Sequence, residues 1–298
     1  VGFNVLTIKN LNKCYENGVH ALKDISITID RGLFGLLGPN GAGKSSFMRT
    51  LATLQRPDSG TIIFDGIDVL AKPEQLKKVL GYLPQEFGVY PRVTAYELLD
   101  YLAVMKGITN SKLRKEQVLA LLAKTNLYEQ KDNNLANFSG GMKRRFGIAQ
   151  ALLGSPKLIM VDEPTAGLDP QERNRFYNLL SEVGKDIVLI LSTHIIEDVQ
   201  ALCSNIGVIN QGQMLAQATP NHLLHSLKDR VWCKNVDSQQ AERDFTGQLL
   251  LTKNQGHTTR VHVYSQRQPG VGFEQTVPDL EDAYFHLLNQ DTQQAGKR

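Results

Sequence analysis

Cysteine is scarce: Cys14, Cys203 and Cys233 lie far apart in 298 residues. An odd, dispersed set excludes a disulfide framework and CxxC metal knuckles, and it fits a reducing compartment. Long apolar runs are missing too, since no stretch approaches the ~20 residues that cross a bilayer. Val1 to Asn10 alternate apolar and polar residues without a charged-then-apolar leader, so no signal peptide is expected. Excess charge of one sign is also absent. Basic residues number 33 and acidic residues 30, a net charge of +3, too little to indicate nucleic acid by itself. The remainder is an ordinary globular balance, 41% apolar and 21% charged, able to bury a core without staples. At ~150 residues per domain, the length suggests one large domain or two modest ones.

The apolar periodicity changes along the chain. Val5, Leu6 and Ile8, then Ile25, Ile27 and Ile29, read as strands. The run LFGLL at 33–37 suits a strand buried on both faces. A glycine-rich turn follows, then a helical pattern from Gly43 to Leu54, a turn at 57–60 and a strand at 62–64. Thr94 with Glu97 is a capping-box signature and opens a helical region reaching Asn126, with Leu113 to Leu122 as its second amphipathic run. A further helix is expected from Ser139 to about Leu153, so 88–153 reads as a helical insert. Strands at 157–161 and 187–191 flank a helix near 171–183, and alternating strands and helices imply a mostly parallel sheet. Residues 206–209 and 213–216 read as a hairpin around Gly212. Beyond Pro220 the chain is rich in Gln, and 221–298 hold nine basic and nine acidic residues. Strand-like pieces at 231–233, 248–252 and 259–264, then an amphipathic helix bearing Leu280, Tyr284, Leu287 and Leu288, suggest a small α+β appendix.

Gly38, Pro39, Asn40, Gly41, Ala42, Gly43, Lys44 and Ser45 match G-x-x-x-x-G-K-[ST], between an expected strand and an expected helix. The glycines let backbone N–H groups curl around phosphate oxygens, and the following helix aims its positive end at them. Lys44 suits the β and γ phosphates, and Ser45 suits Mg²⁺. By chance the match arises in roughly 1% of chains this long. Leu158 to Val161 then form an apolar strand ending in Asp162 and Glu163. At a strand end in an α/β sheet, Asp162 is placed to hold Mg²⁺ and Glu163 to deprotonate a water attacking the γ phosphate. The bland reading is two solvated acids. Beside a phosphate-binding loop the catalytic one prevails.

Phe138, Ser139, Gly140, Gly141 and Met142 precede that strand and resemble the LSGGQ signature of ATP-binding cassette (ABC) proteins. Other motifs then fall into order over residues 1–218. Tyr15 resembles the aromatic that stacks on adenine, Gln85 the Q-loop glutamine, Asp169 the D-loop aspartate and His194 the switch histidine. The resemblance implies a P-loop, RecA-like α/β core with an antiparallel β subdomain and a helical signature subdomain. It implies a nucleotide-binding domain at 1–218 and an accessory domain at 219–298. ATP is to be held by Tyr15, residues 38–45 and Ser46, and Mg²⁺ by Ser45, Gln85 and Asp162. Glu163, His194 and Gln85 are to serve hydrolysis. Ser139, Gly140, Gly141 and Met142 are to meet the nucleotide of a second, head-to-tail subunit.

Two positions depart from the signature, Phe138 for Leu and Met142 for Gln, and Ala166 stands where the D-loop commonly has Ser. Ser139 and both glycines are intact, so activity is expected to survive. The function implied is ATP hydrolysis driving transport through a separate membrane permease, from the inner face of the cell membrane. Asp279 to Tyr284 resemble the Leu-Glu-Asp-x-Phe helix of bacterial type-2 ABC exporters, which favours export. An importer ATPase and a soluble non-transport cassette are the alternatives. The run Lys143, Arg144, Arg145 reads as a solvated or domain-facing stripe, and His222 with His225 lack a third ligand, so neither nucleic acid nor a metal centre is expected there.

Overall fold

The computed structural model describes residues 5–85, 88, 92–237, 247–255 and 258–295. Strict apolar alternation lays down the first sheet. Strands β1 (Leu6–Cys14) and β2 (His20–Ile29) pair antiparallel and bury Leu6, Ile8, Ile25, Ile27 and Ile29. The chain crosses to a second sheet as β3 (Gly32–Leu37), whose last four residues are all buried, and enters α1 (Lys44–Leu51). It returns as β4 (Ser59–Phe64) and β5 (Ile67–Asp68), which complete a four-stranded sheet in the order β2-β1-β4-β5. Helix α2 (Pro73–Val79) and strand β6 (Leu80–Leu83) follow without a break. Neither is legible in the sequence, because seven and four residues are too few to show a period.

The helical region consists of α3 (Ala95–Met105), α4 (Ser111–Lys124) and α5 (Gly140–Ala151). Thr94 and Glu97 form the expected reciprocal capping box on α3. Asn110 starts α4 by accepting hydrogen bonds from the Lys112 and Leu113 N–H groups. Leu99, Leu122, Phe138 and Phe146 share a buried cluster within these helices, with Met142 packed on its edge. The two departures from the signature are therefore apolar residues facing a local core.

Strand β7 (Leu158–Asp162), helix α6 (Pro170–Val183), strand β8 (Val188–Thr193), helix α7 (Ile196–Leu202) and strands β9 (Asn205–Asn210) and β10 (Gln213–Ala218) complete the second sheet. Its order is β10-β9-β3-β8-β7-β6, parallel except for the β9–β10 hairpin. One face buries Phe34, Leu36, Met160 and Ile190; the other buries Leu37, Ile159, Val161 and Leu191. Burial on both faces explains the unbroken apolar runs of β3, β7 and β8.

The last third holds α8 (Pro220–Ser226), β11 (Val231–Asp237), β12 (Gln248–Gln255), β13 (Thr258–Tyr264), β14 (Glu274–Gln275) and α9 (Leu280–Ala295). Its antiparallel sheet runs β12-β13-β11-β14. Leu223, Val231, Leu250, Leu280 and Tyr284 belong to the same buried cluster as Val199, Cys203, Ile206 and Val208. The appendix thus packs through a shared apolar core on the β9 and α7 side of the second sheet. Among the described residues no helix is long and apolar enough to cross a membrane.

Candidate functional site

The carboxyl ends of β3, β7 and β8 lie side by side, with Leu37 opposite Thr193 and Asp162 opposite Ser192. Open α/β sheets bind ligands beyond such ends. A cavity of about 470 Å³ opens there, lined by Tyr15, Gly43, Lys44, Ser45, Gln85 and Glu163 among others. Residues 38–43 form the loop expected for phosphate. Gly43 caps α1 at φ +106°, and a Cβ there would sit 2.5 Å from the Ala21 carbonyl oxygen, so only glycine fits. The first-turn N–H groups of α1, which have no partner within the helix, face the same loop.

Lys44 is buried at 5% exposure. Its Nζ donates to the Gly38 and Pro39 carbonyls at 2.8 and 3.1 Å and stands 3.5 Å from Glu163 Oε1. Burial lowers the Lys44 pKa, and the carboxylates of Glu163 and Asp162 oppose that shift.

Glu163 is the residue after β7 and has a left-handed backbone, φ +48°. Its N–H donates to the Ser192 carbonyl at 2.8 Å, which turns the side chain back across the ends of β7 and β8. Glu163 Oε2 lies 2.7 Å from His194 Nδ1. A carboxylate can only accept, so Nδ1 is the donor in this contact. Non-glycine residues with positive φ concentrate where surrounding structure holds a functional group in place.

Asp162 is buried, and its Oδ1 has no hydrogen-bond partner among the described residues, nor has the neighbouring Ser192 Oγ. Burial pushes the Asp162 pKa up and Glu163 adds to this, while the nearby Ser192 hydroxyl, Lys44 and Arg144 oppose it. Asp162 brings an orphaned carboxylate oxygen, and Ser45 and Gln85, which line the cavity, bring a hydroxyl and an amide oxygen, together a set of hard oxygen donors. Such a set fits a small divalent cation.

Tyr15 lies at the cavity rim. Its hydroxyl donates to Gln55 Oε1 at 3.0 Å and is 3.0 Å from Ser46 Oγ, which fixes the ring against α1. The Gln85 carbonyl accepts from Arg144 Nη1 at 2.9 Å, so the basic stripe of α5 faces the core here. Arg145 continues it with an ion pair to Glu172 at 3.3 Å.

Ser139, Gly140, Gly141 and Met142 do not line this cavity. Ser139 caps α5 by accepting from the Met142 N–H at 3.2 Å, and Ser139 and Gly140 are exposed. Gly141 is buried, where a Cβ would fall 2.7 Å from Glu172 Oε2. Asp169 caps α6, accepting from the Glu172 N–H at 2.9 Å.

The sequence reading missed Asp198. Its buried carboxylate joins Thr165, Tyr177 and Thr193. It also missed a buried pair in the appendix, His262 Nδ1 with Asp282 Oδ1 at 2.8 Å. Both depend on contacts between distant segments, and no local pattern signals either.

Residues 22–166 match the family described as ABC transporter. The chain is 37% identical over 225 residues to the linearmycin resistance ATP-binding protein LnrL of Bacillus subtilis, covering 75% of this chain and 72% of that protein. It is 35% identical over 308 residues to the Nod factor export ATP-binding protein I of Cupriavidus metallidurans, covering 96% and 98% of the two. A solved ATP-binding cassette, MJ0796, in a dimeric post-hydrolysis state bound to ADP and Pi, superposes with a TM-score of 0.64 at 26% identity, over 72% of this chain and 98% of that one. Sequence, sheet order and these likenesses agree: the chain belongs to the ABC transporter family, as an ATP-binding subunit that hydrolyses ATP.

Proposed function

We propose that this chain powers export through a separate membrane permease at the inner face of the membrane, and that two copies act together. The observation that carries export is the likeness to the Nod factor export protein, which runs through the appendix and covers 96% of this chain. In inside-out vesicles carrying the assembled complex, a panel of amphipathic antibiotics should accumulate inside on addition of ATP. ATP-driven release from preloaded vesicles would point to import instead.

In this reading, residues 1–218 bind and hydrolyse ATP and residues 219–298 are an accessory domain. The loop amides, Lys44 and Ser46 cradle the phosphates, while Tyr15 faces the adenine; such stacking contributes ~1–3 kcal/mol. Ser45, Gln85 and Asp162 would hold Mg²⁺, which when bound neutralises charge on the β and γ phosphate oxygens. Glu163 is the general base, and His194 holds its Oε2.

The ion pair between Lys44 and Glu163 gives the site an order of events. Lys44 Nζ, 3.5 Å from Glu163 Oε1, partly neutralises the base. A triphosphate is the stronger competitor for the ammonium, so Lys44 turns to it and leaves Glu163 Oε1 open to a water. Glu163 takes the proton of that water as its oxygen attacks the γ phosphorus and the bond to the β-phosphate oxygen breaks. The exposed start of α5 completes the site from the second copy, because it lies outside the cavity of its own chain. Ser139→Arg should therefore stop turnover while leaving ATP binding at Lys44 nearly unchanged; equally weakened binding would remove this division of labour.

A further inference from the structure

Asp198 is fully buried at the first turn of α7, and no ion pair reaches it among the described residues. An uncompensated buried carboxylate is costly, so its partners carry information. They are three hydroxyls from three segments. Thr165 Oγ1 donates to Oδ2. Thr193 Oγ1 donates to the same oxygen at 3.1 Å, and Tyr177 OH donates to Oδ1 at 2.5 Å. Thr193 Oγ1 also accepts from the Ile195 N–H at 3.0 Å, which fixes the direction of its own proton. Charge-assisted bonds of this kind are about twice as strong as neutral ones.

The segments so tied matter for what they carry. Thr165 follows Glu163 by two residues and opens the turn to Asp169, with Leu168 N–H bonded to the Thr165 carbonyl at 3.1 Å. Thr193 immediately precedes His194 at the end of β8. Tyr177 belongs to α6, the helix that Asp169 caps. One carboxylate therefore spans the loop bearing the base, the strand bearing its histidine partner and the helix between them.

We propose that Asp198 is a positioning residue for ATP hydrolysis, holding Glu163, His194 and the 165–169 turn in one fixed relation through the hydroxyls of Thr165, Thr193 and Tyr177. The proposal rests on the reading of Glu163 as the base. Asp198 does not line the cavity, so it should act on the chemical step and not on binding.

The test is steady-state ATPase kinetics on the full chain for Asp198→Asn, Tyr177→Phe, Thr165→Val and Thr165→Ser, with melting temperatures and Glu163→Gln as control. Misplacing a catalytic group by ~1 Å costs about 100-fold. Asp198→Asn should lower kcat about 10-fold or more with KM for ATP within about twofold. Thr165→Val should lower kcat, and Thr165→Ser, which keeps the hydroxyl, should restore it. In a double-mutant cycle, His194→Ala should cost less kcat in the Asp198→Asn background than alone. If Asp198→Asn fails to fold, Tyr177→Phe and the Thr165 pair decide. Wild-type kcat in Asp198→Asn or in Thr165→Val, or strict additivity with His194→Ala, overturns the proposal while an inactive Glu163→Gln leaves the base assignment standing. An active Glu163→Gln overturns the base assignment itself, and the proposal with it.

Discussion

Asp162 sits at the end of β7 with 4% of its surface exposed, and burial raises its pKa. The native carboxyl then holds its proton at pH values where the unfolded chain has already lost it. Unfolding in that window releases a proton, so native stability falls as the pH rises through it. Below the unfolded carboxylate range the penalty is absent, and above the raised folded value it is complete. Asp162→Asn should therefore raise the melting temperature of the nucleotide-free chain at pH 7 by ~2–4 °C. The gain should shrink as the pH is lowered through the carboxylate range, and turnover should be lost throughout. A melting temperature unchanged at pH 7 would mean that another group relieves the charge. Glu163→Gln keeps the shape of the side chain and removes the proposed base, so it should bind ATP yet turn over ~10²–10⁴-fold more slowly. Lys44→Ala removes the cation that stands beside Glu163 and is proposed to face the phosphates. Equilibrium binding should weaken and hydrolysis should disappear.

Helix starts organise this molecule more than helix interiors do. Gly43, Thr94, Asn110, Ser139, Asp169 and Thr219 stand at six N-caps, and all but Gly43 accept a backbone N–H with the side chain. Thr94→Ala breaks both arms of the capping box on α3, far from the phosphate loop. It should lower stability by ~1 kcal/mol and leave KM for ATP unchanged in the same sample; a change in KM would tie α3 to the nucleotide. The starts at Gly43, Thr94 and Ser139 were legible, the second because the cap and its Glu97 partner lie three residues apart, whereas Asn110, Asp169 and Thr219 were not read as caps. The phosphate loop was likewise legible, as one contiguous string from Gly38 to Ser45, and so was the two-sided burial of β3, β7 and β8. What escaped the sequence was spread out. Asp198 reads there as an ordinary acid in the first turn of a helix, and its partners Thr165 and Tyr177 lie 33 and 21 residues away. His262 and Asp282 lie 20 residues apart on a strand and a helix. The adjoining α2 and β6 present seven and four residues with no turn between them.

At the scale of the whole chain, the last third is joined to the second sheet by a shared core. Leu280 and Tyr284 of α9 are buried with Val199 and Ile206, and Asn210 Nδ2 donates to Asp291 Oδ2 at 2.8 Å. No residue proposed to hold ATP lies beyond 218, so its removal would leave the site chemically complete but expose the apolar side of β9 and α7. A chain ending at 220 should melt at lower temperature and aggregate on heating, while residual folded protein still binds ATP. Unchanged melting would show that the shared cluster contributes little. The proposed pairing of two copies makes the strongest demand on the molecule, because the exposed Ser139 end of α5 and the Lys44 loop do not meet within one chain. Two-fold head-to-tail pairing brings each to the other's nucleotide. Sedimentation of Glu163→Gln at micromolar concentration, with and without ATP and Mg²⁺, tests this most directly. The prediction is a chain of 33.2 kDa that sediments as a monomer alone and doubles its mass with ATP. The same mass under both conditions would contradict it.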